Sequence, residues 1–232
     1  TAEAAGAAPT ISAHLDRREA LAGATAVIDM VQVGMHEATL LDFAIPAQHG
    51  LRQTIADTIG VGGIFRALRT IPVLLAIADD MRDVCPDALF LNYTNPMPIL
   101  CQALAEARPW LRTVGLCHSV QHTTAYLARL AGVPADEVAF LSAGVNHQAF
   151  LLRLEHAGES LYPRLDAAIA ADPEGLGRTF RVEVYRRLGW FVTESSEHLA
   201  EYVPWVMRHD GEIARFRTPV DEYVRRSEQN LA

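Results

Sequence analysis

Cysteine is scarce in this sequence: Cys85, Cys101 and Cys117 are the only three in 232 residues. So small and odd a number argues against a disulfide framework and for reduced thiols in a cytoplasmic setting. Apolar runs are short too. The longest, such as "IPVLLAIA", stop far below the length that spans a bilayer, so no membrane partner is expected. The opening "TAEAAGAAPTISAHLDRREAL" has no basic segment followed by an apolar core, which argues against a signal peptide. Positive charge is also in deficit, with 20 basic against 28 acidic residues and a net charge of −8. The basic residues are arginines scattered along the chain, without the stripe that a nucleic-acid groove requires.

What remains is a globular composition. Half of the residues are hydrophobic and 21% are charged, enough for one large or two small packed cores. No internal repeat is found, and no low-complexity tract beyond the Ala-rich start. The order of elements carries more information. "ATAVIDMVQV" (24–33) is β-branched and apolar, as a strand buried on both faces should be. A loop rich in Gly, His and Pro follows. "IFRALRTIPVLLAIADDMRDVC" (64–85) reads as a helix, with Pro72 predicting a break or kink. "ALFLNYT" (88–94) is a second strand, "MPILCQALAEA" a helix, and "RTVGLCHS" a third short strand. "VQHTTAYLARLAG" is a helix closed by Gly132, and 138–158 reads as strand, turn and strand. Alternation at this spacing predicts a parallel sheet covered on both faces, with ligands outside the carboxyl ends of its strands. Gln32–Gly34, Asn92–Asn95 and Cys117–Ser119 fall at those ends. From about Leu161 the sequence predicts a second, mainly helical unit packing over that edge.

Several residues could carry chemistry. Cys117 and His147, thirty positions apart, are of types that bind borderline divalent metals. Two such ligands would leave coordination positions open for substrate oxygens. The alternative is a buried thiol and a hydrogen-bonded strand-end histidine that never meet. Asn95 in "YTNPMP" could hold a substrate hydroxyl or close an Asx-type turn. In "TESSEHLAEYVPW" (193–205), Glu197 and Glu201 share one helix face, as do His198 and Tyr202. By itself this reads as a solvated amphipathic helix, although a Tyr of depressed pKa beside a metal could act as a base. The glycines of "IGVGGIF" (59–65) fit a helix-entry turn better than a phosphate loop, since no strand immediately precedes them.

Taken together, "LDRREALAGATAVIDMVQVG", "GVGGIFRALRTIPVLLAIADDM", "LNYTNPMPI", "VGLCHSVQHT", "GVNHQAFLL", "GESLYPRL" and "TESSEHLAEYVPW" resemble glycoside hydrolase family 4. These are NAD- and divalent-metal-dependent glycosidases. The stretches run in the family's order from about Leu15 to Trp205, and "CHSV" points to the α-galactosidase branch. The resemblance implies an α/β fold: a Rossmann-like, mostly parallel sheet (1–150) followed by part of a mainly helical α+β substrate domain (151–232). It implies Cys117 and His147 as ligands of Mn²⁺, which also takes the sugar's 2- and 3-oxygens. It further implies Asn95 as substrate-binding, Val33, Gly34 and Asn92 as NAD-binding, His118 as the acid and Tyr202 as the base. The implied reaction is oxidation at C3 by NAD⁺, proton abstraction at C2, elimination at C1, water addition and re-reduction. Such a route needs no carboxylate pair flanking the anomeric carbon. The family's opening strand with its Gly-rich turn, and most of its helical portion after about Arg217, find no counterpart, so the resemblance implies a chain truncated at both ends. The expected partners are a small sugar and further copies of the chain, as a dimer or tetramer. The alternatives are the same mechanism on α-glucosides or α-galacturonides, a lactate/malate-type hydroxy-acid dehydrogenase (which also has a strand ending in "TNP"), and a non-catalytic remnant. Uronate binding would want an Arg or Lys aimed at the C5 substituent.

Overall fold

The computed structural model describes residue 6 and residues 8–230. Helix α1 (Arg17–Leu21) is capped by Asp16, whose carboxylate accepts the Arg18 N–H at 2.7 Å, and it leads into strand β1 (Ala26–Asp29). Helices α2 (Met35–Gln48) and α3 (Gly60–Val84) follow, then β2 (Leu89–Asn92), α4 (Met97–Ala107) and β3 (Thr113–Gly115). The three strands pair in parallel in the order β1-β2-β3, with Asp29 beside Asn92 and Asn92 beside Gly115. Right-handed crossovers in this order place the connecting helices on one face. The core there joins Leu21, Leu74, Ile77, Met81, Phe90, Leu100 and Leu104. Burying side chains of this size stabilises by roughly 1.5–3 kcal/mol each. Among the described residues the other face is not covered as expected, because Ile28 is 61% and Val114 41% exposed.

Two further expectations are corrected. The segment after β1 is not a loop but the helix α2. Gly34 caps it in the left-handed region at φ 79°, where a side chain would be strained. Its buried face is Thr39, Asp42, Phe43 and Pro46, of which Asp42 pairs with Arg69 of α3. A helix held by an ion pair shows little apolar periodicity. Pro72 does not end the next helix either, since α3 runs 25 residues through it. Ala67 and Thr70 anchor the turns before it, and Leu74, Ile77, Ala78 and Met81 those after it. By length and composition α3 could cross a membrane, which the run-length argument missed. Here it is the central helix of the core, and its charged residues pair on the surface, Asp80 with Arg17 and Arg18 and Asp79 with Arg108.

After β3, helix α5 (Ser119–Leu130) leads to the hairpin β4 (Val138–Val145) and β5 (Gln148–His156), then β6 (Glu159–Ser160) and α6 (Tyr162–Ala171). Next come α7 (Phe180–Leu188), β7 (Phe191–Val192), α8 (Ser196–Tyr202), α9 (Asp210–Phe216) and α10 (Glu222–Gln229), so the sequence beyond Leu161 is helix-rich, as expected. β5 is the centre of this antiparallel sheet, pairing with β4, β6 and β7. A second core joins Leu127 of α5 to Leu151, Leu154, Leu165 and Phe191, and a third joins Phe180, Val192, Leu199 and Val206. The carboxyl ends of β2 and β3, the β4–β5 turn and α8 therefore meet in one place.

Candidate active site

Cys117 follows β3 and stands at the entry to α5. The Ser119 backbone N–H donates to its sulfur at 3.4 Å, and the Cys117 thiol lies 3.3 Å from the Ser119 hydroxyl. The backbone packs closely here, since a Cβ on Gly115 would come within 2.3 Å of Met97 Sδ. His147 sits in the two-residue turn between β4 and β5, at φ 63°. A non-glycine residue held in that region is strained, and such strain persists where the surroundings over-determine it. His147 is buried, and its Nε2 lies 3.2 Å from Cys117 Sγ. The two side chains that sequence spacing left thirty positions apart are in contact.

The electrostatics of the pair follow from its neighbours. Burial pushes the Cys117 thiol up, but the His147 imidazole and the Ser119 donors outweigh it and bring the thiol down to about 7. Burial opposes charge on His147, while Cys117, Glu194 and Asp57 favour it, for a net upward shift. Glu194 Oε2 lies 3.4 Å from His147 Nε2. Cys117, His147 and Glu194 thus bring a thiolate, an imidazole and a carboxylate within 4.8 Å of one another. That donor set suits a borderline divalent ion.

These residues line a cavity of about 480 Å³ together with Asn95, His118, His122, Tyr126, Arg181 and His198. His118 is exposed there, stacked on Tyr93 at 5.2 Å and on His122 at 5.5 Å. The Arg181 guanidinium lies over the Tyr126 ring at 4.2 Å and, among the described residues, has no carboxylate within 4.0 Å. Asn95 closes the turn, its Oδ1 accepting the Met97 N–H at 3.3 Å, while its Nδ2 donates to Asp57 Oδ2 at 2.8 Å. Asn95 therefore closes the turn and also lines the cavity.

Other expected residues are placed differently. Asn92 is fully buried, its Nδ2 donating to the Thr94 carbonyl at 3.0 Å and its Oδ1 without a partner among the described residues. The Val33 carbonyl accepts from Arg69 Nε at 3.1 Å, and Gly34 serves the start of α2. Their neighbours Met30, Val31 and Gln32 instead line a second cavity of about 290 Å³ with Tyr93, Thr94, Asn95 and Tyr223, at the carboxyl ends of β1 and β2. Tyr202 reaches the site but stands behind the imidazole, its hydroxyl 3.2 Å from His147 Nδ1. Burial raises its phenol pKa and the carboxylates of Asp57, Glu201 and Glu194 raise it further.

Nor is α8 a solvated helix. Glu201 is largely buried, and its carboxylate accepts the backbone N–H groups of Thr54, Ile55 and Ala56 at 2.7, 3.1 and 3.0 Å. His198 lies between Asp57, 3.6 Å from its Nε2, and Glu194, 3.4 Å from its Nδ1. Burial opposes its charge, but these carboxylates prevail and lift the imidazole to about 9. Sequence reasoning did not single out Asp57, Thr58, Arg181 or Glu194. Glu194 and His198, four apart in "TESSEH", carried the one available signal.

Comparison with known proteins bears on what this arrangement does. The sequence pattern of the "Family 4 glycosyl hydrolase" matches residues 1–133, and that of the "Family 4 glycosyl hydrolase C-terminal domain" matches residues 142–231. An alpha-galactosidase of Bacillus subtilis (strain 168) is 46% identical over 220 residues, covering 93% of this chain and 51% of that protein. An alpha-galactosidase of Rhizobium meliloti (strain 1021) is 39% identical over 209 residues, covering 89% of this chain and 42% of that protein. The chain thus spans about half the length of the curated relatives it matches. Among solved structures, a 6-phospho-alpha-glucosidase from gut microorganisms in complex with NAD and Mn²⁺ superposes with a TM-score of 0.73. It is 20% identical, over 93% of this chain and 51% of that one, a likeness of fold.

Proposed function

Because this chain belongs to family 4 of the glycosyl hydrolases, we propose that it is the part of an α-galactosidase that holds the divalent-metal site and the nicotinamide end of NAD. The observation that carries the proposal is the 3.2 Å approach of Cys117 Sγ to His147 Nε2 at the floor of the cavity. On this reading residues 1–150 serve the dinucleotide, residues 151–232 serve the sugar, and the site lies between them.

The residues present fit both groups. Cys117 and His147, with Glu194 beside them, would hold Mn²⁺, and the cavity lined by Val31, Gln32 and Thr94 would take the nicotinamide. When bound, NAD would supply reversible oxidation at the sugar's C3 and the dication would polarise the neighbouring oxygens. The protein's own part is positioning. A thiol near pH 7 is available as thiolate without strong base. Asn95, fixed by Asp57 and by the Met97 N–H, orients the edge of the sugar that faces it. His118, exposed at the mouth, would exchange a proton with the leaving group. Tyr202 acts through His147, since its hydroxyl meets Nδ1 rather than the cavity.

Family membership favours the glycosidase over the hydroxy-acid dehydrogenase. Within the family, one observation supports a second substrate reading: Arg181 faces the cavity without a carboxylate partner among the described residues, as a uronate would want. Mn²⁺ binding by this chain tests the metal site, followed by electron paramagnetic resonance of the free ion. Cys117→Ser and His147→Ala are each expected to weaken binding about 100-fold. In any longer protein carrying this chain, hydrolysis of p-nitrophenyl α-galactoside is expected to require NAD⁺, Mn²⁺ and a thiol reductant. Unaltered Mn²⁺ affinity in both variants would sink the assignment.

A further inference from the structure

Behind His147 lies a hydrogen-bond chain whose direction can be deduced. Thr58 is buried, and its hydroxyl has a single hydrogen. That hydroxyl is 2.8 Å from Asp57 Oδ1 and 2.7 Å from His147 Nδ1. Asp57, also buried, is ringed by donors: Asn95 Nδ2 at 2.8 Å on Oδ2, Thr58 on Oδ1, and the His198 ring nitrogen 3.6 Å away. A carboxylate in such company only accepts. The Thr58 hydrogen is therefore committed to Asp57, and toward His147 the Thr58 oxygen has only lone pairs. Nδ1 must bring the hydrogen to that contact. The lone pair then falls on Nε2, the nitrogen that faces Cys117 Sγ at 3.2 Å. A hydrogen on Nδ1 also suits the Tyr202 hydroxyl, 3.2 Å away, which can accept as well as donate.

We infer that Asp57, acting through Thr58, fixes the ring hydrogen of His147 on Nδ1, which makes both residues positioning residues for metal capture by Nε2. The metal half of this rests on Cys117 and His147 being the ligands; the tautomer half does not. The relay also explains why a histidine stands at a strained turn position. Its ring is gripped from behind by a loop some ninety residues earlier, 89 positions from Thr58 to His147.

Long-range ¹H–¹⁵N correlation spectroscopy of the histidine rings, on this chain without metal and at a pH where His147 is neutral, reads the hydrogen position directly. The expected wild-type signature is Nδ1–H. Thr58→Val removes the nearer acceptor and leaves the Tyr202 hydroxyl to donate to Nδ1, so it should populate the Nε2–H form and weaken Mn²⁺ binding about 10- to 100-fold. Thr58→Ser should restore both. Asp57→Asn should reverse the relay, because an amide that still accepts from Asn95 offers N–H to Thr58, whose hydrogen then turns to Nδ1. Circular dichroism checks the fold of each variant, and if Thr58→Val does not fold, Asp57→Asn carries the comparison. An Nε2–H signature in the wild type, or an unchanged tautomer in Thr58→Val, overturns the inference. If wild type and Cys117→Ser bind Mn²⁺ equally, the ligand assignment fails while the spectra still judge the relay.

Discussion

Behind His147, polar groups from the 51–59 loop and from α8 are tied to one another: Glu201 to three backbone N–H groups, Asp57 to Asn95 and Thr58, Thr58 to His147. In front of it, His118, His122, Tyr126 and Arg181 face the cavity and are held by ring stacking and a cation–π contact. The first set is buried or largely so and is joined by hydrogen bonds, with Glu201 reaching a loop about 145 residues away, whereas the second is exposed or partly so and is held only by ring contacts. The contrast separates two tasks. Buried polar groups must be satisfied or they destabilise the fold, so the rear of the site is built as part of folding. Groups at the mouth keep their hydrogen-bonding capacity free for a ligand.

The largest break in this contrast should come from Glu201→Ala, which strands three buried N–H groups. A loss of about 3 kcal/mol or more is expected in urea unfolding, with Glu201→Gln losing less because its amide oxygen still accepts. A loss below about 1 kcal/mol would mean that the loop is not anchored there. Next comes pH. The folded imidazole of His198 titrates at about 9, against an ordinary value of 6.5. A raised pKa gives stability that is fully present below pH 6.5 and lost as pH rises through about 9. The unfolding free-energy gap between wild type and His198→Gln should therefore be wider at low pH than above that range, and a pH-independent gap would discount the Asp57–His198 pair. The smallest stability effect is expected at the mouth. Arg181→Met should cost at most about 1 kcal/mol while changing the ratio of α-galactoside to α-galacturonide turnover in a longer protein carrying this chain. Equal loss on both substrates would deny Arg181 any part in discrimination.

Much of the scaffold was legible because β2, β3, α4 and α5 have plain periodicity and clear stops. The helix α2 was not, because its inward face includes Asp42 and Thr39 and its contact with α3 is an ion pair. The burial of α8 was equally hidden. Glu201 looks like any surface glutamate until the backbone of Thr54–Ala56 is brought to it. The burial of Asn92 was hidden for the converse reason, since a polar residue at a strand end gives no sign that it faces inward.

By itself the sequence determined the order of strands and helices, the carboxyl-end placement of Asn95 and Cys117, and the short motifs that mark the family. These are local properties, fixed by side-chain period and turn chemistry over a few residues. Only the tertiary structure decided that Cys117 meets His147, that Asp57 and Thr58 stand behind that ring, and that Arg181 reaches the same cavity. Each of those contacts joins separate segments through a single polar pair, and such a pair leaves no periodic trace in the chain that carries it.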